Sequence, residues 1–385
     1  MSNEASLREI RKFDFVDALR GWAFLAVLLE HVGHRMPLVG FLNSFSDEGG
    51  LIGVRLFFIV SAFTLFFSFH IREKDKRNSI KAFFVRRFFR IAPMFWTAIF
   101  IYLAIRGFKS LYGAPHEINT WRVLSTLLFM NGWHPNTINN VVPGGWTIAV
   151  EMNFYLLLPF FYRHIDSLKK AILCFGFLLA FSFLLKYIYT HLLIPHHLVS
   201  KSFVGLLPLW LPSQLPIFSL GFILFFLMRD RLQMQGNHAN QTESLKNKFL
   251  SIGLVVVFFL TLIPIKIFPA QVLLKDLYPG LGLLCLAWGL ALAIYPMPFL
   301  VNRFTCYVGK VSFSAYLCHF FIADIVARML VVLGRKFDLP HWPDVYFVGV
   351  FLVTLCWTLC LSTLTYEWIE QPFQNLGKKI IKRYL

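Results

Sequence analysis

Long apolar runs recur along almost the whole chain, and short polar stretches separate them. About twenty apolar residues in a row suffice for an α-helix to cross a hydrocarbon core of about 30 Å. Such runs cover residues 15–33, 50–70, 91–108, 146–162, 171–190, 211–228, 249–263, 275–295, 311–333 and 346–366. They predict ten transmembrane helices and an all-α, polytopic membrane bundle. Segment 122–131 is apolar but too short to cross, and it predicts an interfacial helix on the outer side. The polar stretch 235–244 predicts a flexible linker. No loop is long enough for a separate domain. Residues 1–385 therefore read as a single membrane domain, with a core over 13–377 and a basic tail over 367–385.

Charge sets the orientation. With the N-terminus inside, the inner segments hold 24 Lys and Arg and the outer loops hold 8. This bias predicts both termini on the cytoplasmic side. It also accounts for the net charge of +17, so the basic balance does not point to nucleic acid. Hydrophobic residues make up 57% and charged residues 15%, against about 45–50% and 25% in a soluble domain. A cytosolic enzyme, a disordered protein and a secreted disulfide scaffold are excluded. The six cysteines form no CxxC pair and read as small buried hydrophobes. The first apolar run is interrupted by Asp17, Arg20 and Glu30, so no cleavable signal peptide is expected. No internal repeat of the kind that marks many transporters is visible.

Ionisable side chains inside a span cost several kcal/mol unless paired or hydrated, so each is a functional candidate. The first span carries Asp17, Arg20, Glu30 and His31. Arg20 and His31 are eleven residues apart, which puts them on one helix face about 16 Å apart along the axis. Asp17 stands three residues before Arg20, where it can pair with it. By depth, His31, Arg55 of the second span and Glu151 of the fourth come to a similar level toward the outside. An imidazole, a cation and a carboxylate on one level are the parts for general-base catalysis with charge stabilisation. For His31 alone, an interhelical histidine satisfied by its neighbours is an equal reading. The ninth span adds His319 in its inner half, and Asp324 with Arg328 at i,i+4, a pair expected to lock the bundle. His191, His196 and His197 lie in an outer loop without nearby carboxylates or cysteines, so no metal site is expected there.

Arg86, Arg87 and Arg90 precede the third span on the inner side. They suit a topology signal, and they also suit a phosphate clamp, because arginine meets phosphate oxygens bidentately.

Six segments, in order, carry a family resemblance. They are Phe13–Gly21 (FDFVDALRG), with the Arg20-x10-His31 spacing; Gly53–Phe63 (GVRLFFIVSAF); Arg86–Trp96 (RRFFRIAPMFW); Trp146–Tyr155 (WTIAVEMNFY); Gly309–His319 (GKVSFSAYLCH); and Glu370–Phe373 (EQPF). The chain resembles the membrane-bound acyltransferase-3 family, whose members O-acylate bacterial cell-surface sugars and some small molecules. It departs from the family pattern at Glu30, usually apolar or aromatic there, at Ala62 for glycine, at Gln371 for arginine, and at Arg55, where many members carry Asp.

The resemblance implies transfer of an acyl group, most often acetyl, from cytoplasmic acyl-CoA to a hydroxyl of a cell-envelope or exported carbohydrate, lipid-linked in some cases. It implies a multi-pass protein of the bacterial cytoplasmic membrane. His31 is then the expected base, with Glu151 and Arg20 as further catalytic candidates. Arg86, Arg87 and Arg90 are the candidate holders of the acyl-CoA phosphates, and Asp17, Arg55 and His319 are supporting candidates. The donor is a substrate and no metal is expected. Some members carry a fused soluble hydrolase-like domain; the basic tail up to Leu385 leads to the expectation of none here. The competing readings are a transporter or flippase for a glycan or acyl carrier, and a structural or sensor bundle. The first fits buried charges but not the lack of repeats, and the second would lose nothing on removal of His31.

Overall fold

The computed structural model describes residues 14–36, 40–74, 80–108, 117–234, 241–262, 280–336 and 343–384. The N-terminal cations Arg8, Arg11 and Lys12, the opening Phe13 of the first motif, linker residues 235–240 and the first part of the predicted eighth span, 275–279, lie outside the described residues.

Among the described residues there is no strand. The helices are α1 (Asp14–Gly33), α2 (Gly40–Lys74), α3 (Ile80–Arg106), α4 (Thr120–Leu127), α5 (Gly145–His164) and α6 (Leu168–Tyr187), which continues as a wider π turn over Ile188–Leu193. Next come α7 (Phe203–Leu206), α8 (Leu211–Met234), α9 (Gln241–Leu262), α10 (Gly280–Ile294), α11 (Arg303–Lys310) and α12 (Ser312–Lys336). The last are α13 (Pro343–Thr365), a π turn over Tyr366–Glu370, and α14 (Gln371–Tyr384).

The described parts of all ten predicted spans fall largely on helices, but six of the described helical stretches are long and apolar enough to cross a membrane: Gly49–Arg72, Ile80–Arg106, Leu168–Leu193, Phe203–Arg229, Ser312–Leu330 and Val345–Tyr384. The difference from ten has local causes. α1 places Asp14, Asp17, Arg20 and Glu30 in 20 residues, the described part of α10 covers 15 residues, and α9 opens on the polar stretch Gln241–Lys248. α5 interrupts its apolar run with Glu151 and Asn153.

The chain divides into two compact units, one of residues 1–65 and 220–362, the other of 66–219 and 363–385. In the first, the apolar stripe Phe24, Leu28 and Val32 of α1 packs with Ala315, Ile322, Ala323, Val326 and Ala327 of α12, Val308 of α11, and Phe347 and Val350 of α13. Spacings of three and four residues put these side chains on one face of each helix. α1 and α11 come closer than side chains would allow. A Cβ on Gly21 would overlap the Thr305 carbonyl, and one on Gly309 would overlap the Asp17 carbonyl. The Trp22 indole N–H donates to the Leu300 carbonyl at 2.9 Å, which pins the other side of α1.

In the second unit, α3 is the helix against which α4, α5 and α14 pack. The Trp96 indole N–H donates to the Leu127 carbonyl at 3.0 Å, and the Asn153 amide donates to the Phe129 carbonyl at 2.8 Å. These bonds fix the short helix that the sequence places at the interface. It buries Arg122, Ser125 and Thr126 and exposes Trp121, Leu124 and Leu128, an inside-out pattern suited to a helix lying against lipid. The tail expected after residue 367 is largely the ordered helix α14. Its Gly377 faces the Phe89 ring of α3 so closely that a Cβ would crowd it.

Candidate active site

α1 carries the first cluster. Its unbroken run from Asp14 to Gly33 keeps Arg20 and His31 on one helix, three turns apart. Arg20 is tied at both ends. Nη1 donates to Asp17 Oδ1 at 3.2 Å, and Nη2 donates to Thr64 Oγ1 of α2 at 3.3 Å. The Asp17–Arg20 pair expected from the i,i+3 spacing is present, and Thr64 is a partner that the sequence does not suggest.

His31 meets a second imidazole. Its ring centroid lies 5.2 Å from that of His319 with the planes 28° apart, and 4.2 Å from Phe320. Phe320 also touches His319, at 4.1 Å. Counting residues from the span ends put His319 in an inner half and His31 toward the outside. The two rings are in fact neighbours, because tilt and packing, which no residue count carries, set where side chains of adjacent helices meet. His319 is wholly buried. Its Nδ1 lies 3.3 Å from the Ala315 carbonyl, four residues back. Its Nε2 has no hydrogen-bond partner among the described residues. Glu30, one of the departures from the family pattern, brings Oε2 to 3.9 Å from His31 Nε2.

Two residues past the end of α1, Arg35 reaches Asp324 of α12, with Nε 2.6 Å from Oδ1. The sequence pairs Asp324 with Arg328 inside one helix; Arg35 is a partner from outside that helix. Arg55 is buried in the same unit, beside Cys285, whose thiol points at the Ile52 carbonyl at 3.7 Å.

The second cluster lies in the other unit. Glu151 of α5 accepts a hydrogen bond from the Tyr155 hydroxyl at 2.5 Å, one turn along. The Arg87 guanidinium lies over the Tyr155 ring at 5.9 Å and over Phe83 at 5.8 Å. Tyr155 therefore joins a predicted arginine to a predicted carboxylate. Its place four residues after Glu151 in a helical motif is the signal that could have found it. Arg90 is within electrostatic reach of Tyr155, and Arg86 within reach of Arg72. Arg72 is held by Ser68 at 3.1 Å. His31 and Arg55 belong to the first unit and Glu151 to the second, so their common level stays an expectation of the sequence. Among the described residues, no group of three or more His, Cys, Asp or Glu could hold a metal ion.

Helices that hold an imidazole pair in one unit, and an arginine–tyrosine–glutamate chain in the other, define a helical membrane protein built around polar chemistry. The chain belongs to the acyltransferase-3 family, whose model, an acyltransferase domain, matches residues 13–366. It is 23% identical over 408 residues to a Staphylococcus aureus (strain COL) protein provisionally named an O-acetyltransferase; the match covers 97% of this chain and 59% of that one. A 163-residue stretch, 38% of this chain and 23% of the relative, is 25% identical to the peptidoglycan O-acetyltransferase OatA of Listeria monocytogenes. A provisionally named acetyltransferase of Acidianus two-tailed virus is 21% identical over 82% of this chain and 85% of its own. The chain thus spans about three fifths of the staphylococcal relatives it matches. No solved structure is significantly similar to it.

Proposed function

We propose that the chain is an integral membrane O-acyltransferase. It moves an acyl group, acetyl first among the candidates, from acyl-CoA on the cytoplasmic side to a hydroxyl of a cell-envelope or exported carbohydrate. Its seat in this reading is the bacterial cytoplasmic membrane, with both termini inside. The observation that carries the reading is His31, a helix-borne imidazole packed on Phe320 and His319 with a carboxylate 3.9 Å away.

His31 acts as general base. It takes the proton of the acceptor hydroxyl as that oxygen attacks the thioester carbonyl. The carbon–sulfur bond then breaks, the CoA thiolate leaves, and the proton on the imidazole is given up to it. Such a base is worth about 10²–10⁴ in rate. Histidine suits the position because a neutral imidazole is tolerable among apolar helices, whereas an unpaired charge is not. A covalent acyl-imidazole is the variant pathway on the same residue. Arg20, bonded to Asp17 and Thr64, holds the inner half of α1 against α2 and is too far from His31 to share its proton. Arg87 and Arg90, with Arg86 beside them, take the phosphates of the donor, and Glu151 supports the reaction through Tyr155.

The test is His31→Ala and His31→Gln in membrane preparations, assayed for acyl transfer from radiolabelled acetyl-CoA to a carbohydrate acceptor. Turnover should fall about 10²–10⁴-fold in both. Near-normal turnover in either would move the base elsewhere. Mass spectrometry of surface glycans from cells with and without the protein would name the acceptor; identical glycans whose transport has stopped would favour the flippase reading instead.

A further inference from the structure

Arg35 makes three directed bonds, and all three end on the imidazole cluster or its helix. The chain leaves α1 in a tight turn, with the His34, Arg35 and Met36 N–H groups donating to the Glu30, Val32 and Gly33 carbonyls at 2.9, 3.0 and 3.0 Å. From that turn the guanidinium reaches back. Nη1 donates to the carbonyl of His31 itself. Nε donates to Asp324 Oδ1 at 2.6 Å, and Nη2 donates to the Phe320 carbonyl at 3.4 Å. Phe320 is the ring that touches both histidines. One side chain thus binds the backbone under the first imidazole, the backbone under the ring that touches both imidazoles, and a carboxylate one turn beyond on the same helix.

We infer that Arg35, held by Asp324, is a positioning residue that fixes where the His31 imidazole stands relative to Phe320 and His319. This inference rests on the reading of His31 as the base. A base works only when held close to its productive geometry, and a displacement of about 1 Å can cost about 100-fold in rate. Aromatic packing at 4–5 Å restrains the plane of a ring but lets it slide, because such contacts are weakly directional. Hydrogen bonds from one rigid fork to two main-chain carbonyls and a carboxylate remove that freedom by fixing the two helices in register. Lysine could supply the charge but not three donors in fixed directions. Half-buried position strengthens the ion pair relative to an exposed one.

The experiment uses the full chain in membranes, with Arg35→Met, Arg35→Lys, Asp324→Asn, the Arg35→Met/Asp324→Asn double variant and His31→Gln side by side. Each is measured for kcat, for KM of acetyl-CoA, and for thermal midpoint. Arg35→Met and Asp324→Asn should each lower kcat about 10- to 100-fold with donor KM changed by less than about twofold. The double variant should be no worse than the worse single one, because both break one clamp, and Arg35→Lys should recover part of kcat. Should Arg35→Met fail to accumulate, Asp324→Asn and Arg35→Lys carry the same comparison. Wild-type kcat in folded Arg35→Met or Asp324→Asn, or losses that multiply in the double variant, would overturn the positioning role. His31→Gln separates the two levels. An active His31→Gln overturns the base reading, whereas an inactive one beside a fully active Arg35→Met overturns the positioning role alone.

Discussion

Two cation sites, one in each unit, hold their charges in different ways. Beside α1, Arg20 is bonded to Asp17 and Thr64, and Arg35 to Asp324 and two carbonyls. At the start of α3, Arg87 instead lies over the faces of Phe83 and Tyr155. A guanidinium contacts a ring with its face and meets phosphate oxygens with its edge, so the two contacts are compatible. A guanidinium bonded end-on to a carboxylate and carbonyls is committed to structure. On the proposed reading, the Arg20 and Arg35 sites serve fixed geometry and the Arg87 site serves donor binding, which divides the proposed reaction between proton removal and donor capture.

That division can be broken at several points. The largest expected effect outside His31 is on donor capture. Replacing Arg87 and Arg90 together by Ala should raise KM for acetyl-CoA about 100-fold or more, since each charge-assisted bond is worth about 1.5–3 kcal/mol. Isothermal titration or a filter-binding assay on inserted protein reads this directly, and unchanged affinity would return the cluster to topology signalling. Tyr155→Phe comes next. It removes the donor to Glu151 and leaves the ring under Arg87, so turnover should drop about tenfold for a bond to a charged acceptor while donor affinity holds. A loss of donor affinity would mean that the hydroxyl, and not the ring, serves the arginine. The smallest effect lies in the scaffold. Gly21→Ala forces a methyl group into the Thr305 carbonyl, and overpacking of this kind costs about 1–3 kcal/mol. Thermal unfolding should report a lowered midpoint, with specific activity per folded molecule retained; an unchanged midpoint would show that α1 and α11 can part freely.

Much of this arrangement was legible in the residues. Apolar runs located every helix proposed to cross, and helical spacing paired Asp17 with Arg20. The ordered motifs single out His31, Arg87, Arg90 and Glu151 as site candidates. What was not legible depends on contacts between helices. Six crossings are clear among the described residues, and α1 is not among them because it carries four charges; no composition rule separates a polar crossing helix from one that stays at the surface. His319 was seen as a candidate but not as the neighbour of His31, since periodicity fixes the face of a helix and not its tilt. Arg35 counted only as an outer-loop cation. Its turn folds it back onto Asp324, a contact 289 positions away in sequence. Tyr155 stood inside a quoted motif, yet its hydroxyl became informative only with the Arg87 guanidinium over its ring.

The central claim is that base and donor site are separate, and one paired measurement addresses it most directly. Acetyl-CoA affinity and single-turnover acyl transfer are determined for His31→Gln and for Arg87→Ala/Arg90→Ala in the same membrane preparation. The account predicts that His31→Gln binds donor like the wild type and transfers about 10²–10⁴-fold more slowly, and that the arginine variant binds donor poorly yet transfers near the wild-type rate once donor saturates. Near-wild-type transfer by His31→Gln, or wild-type donor affinity in the arginine variant, would contradict it.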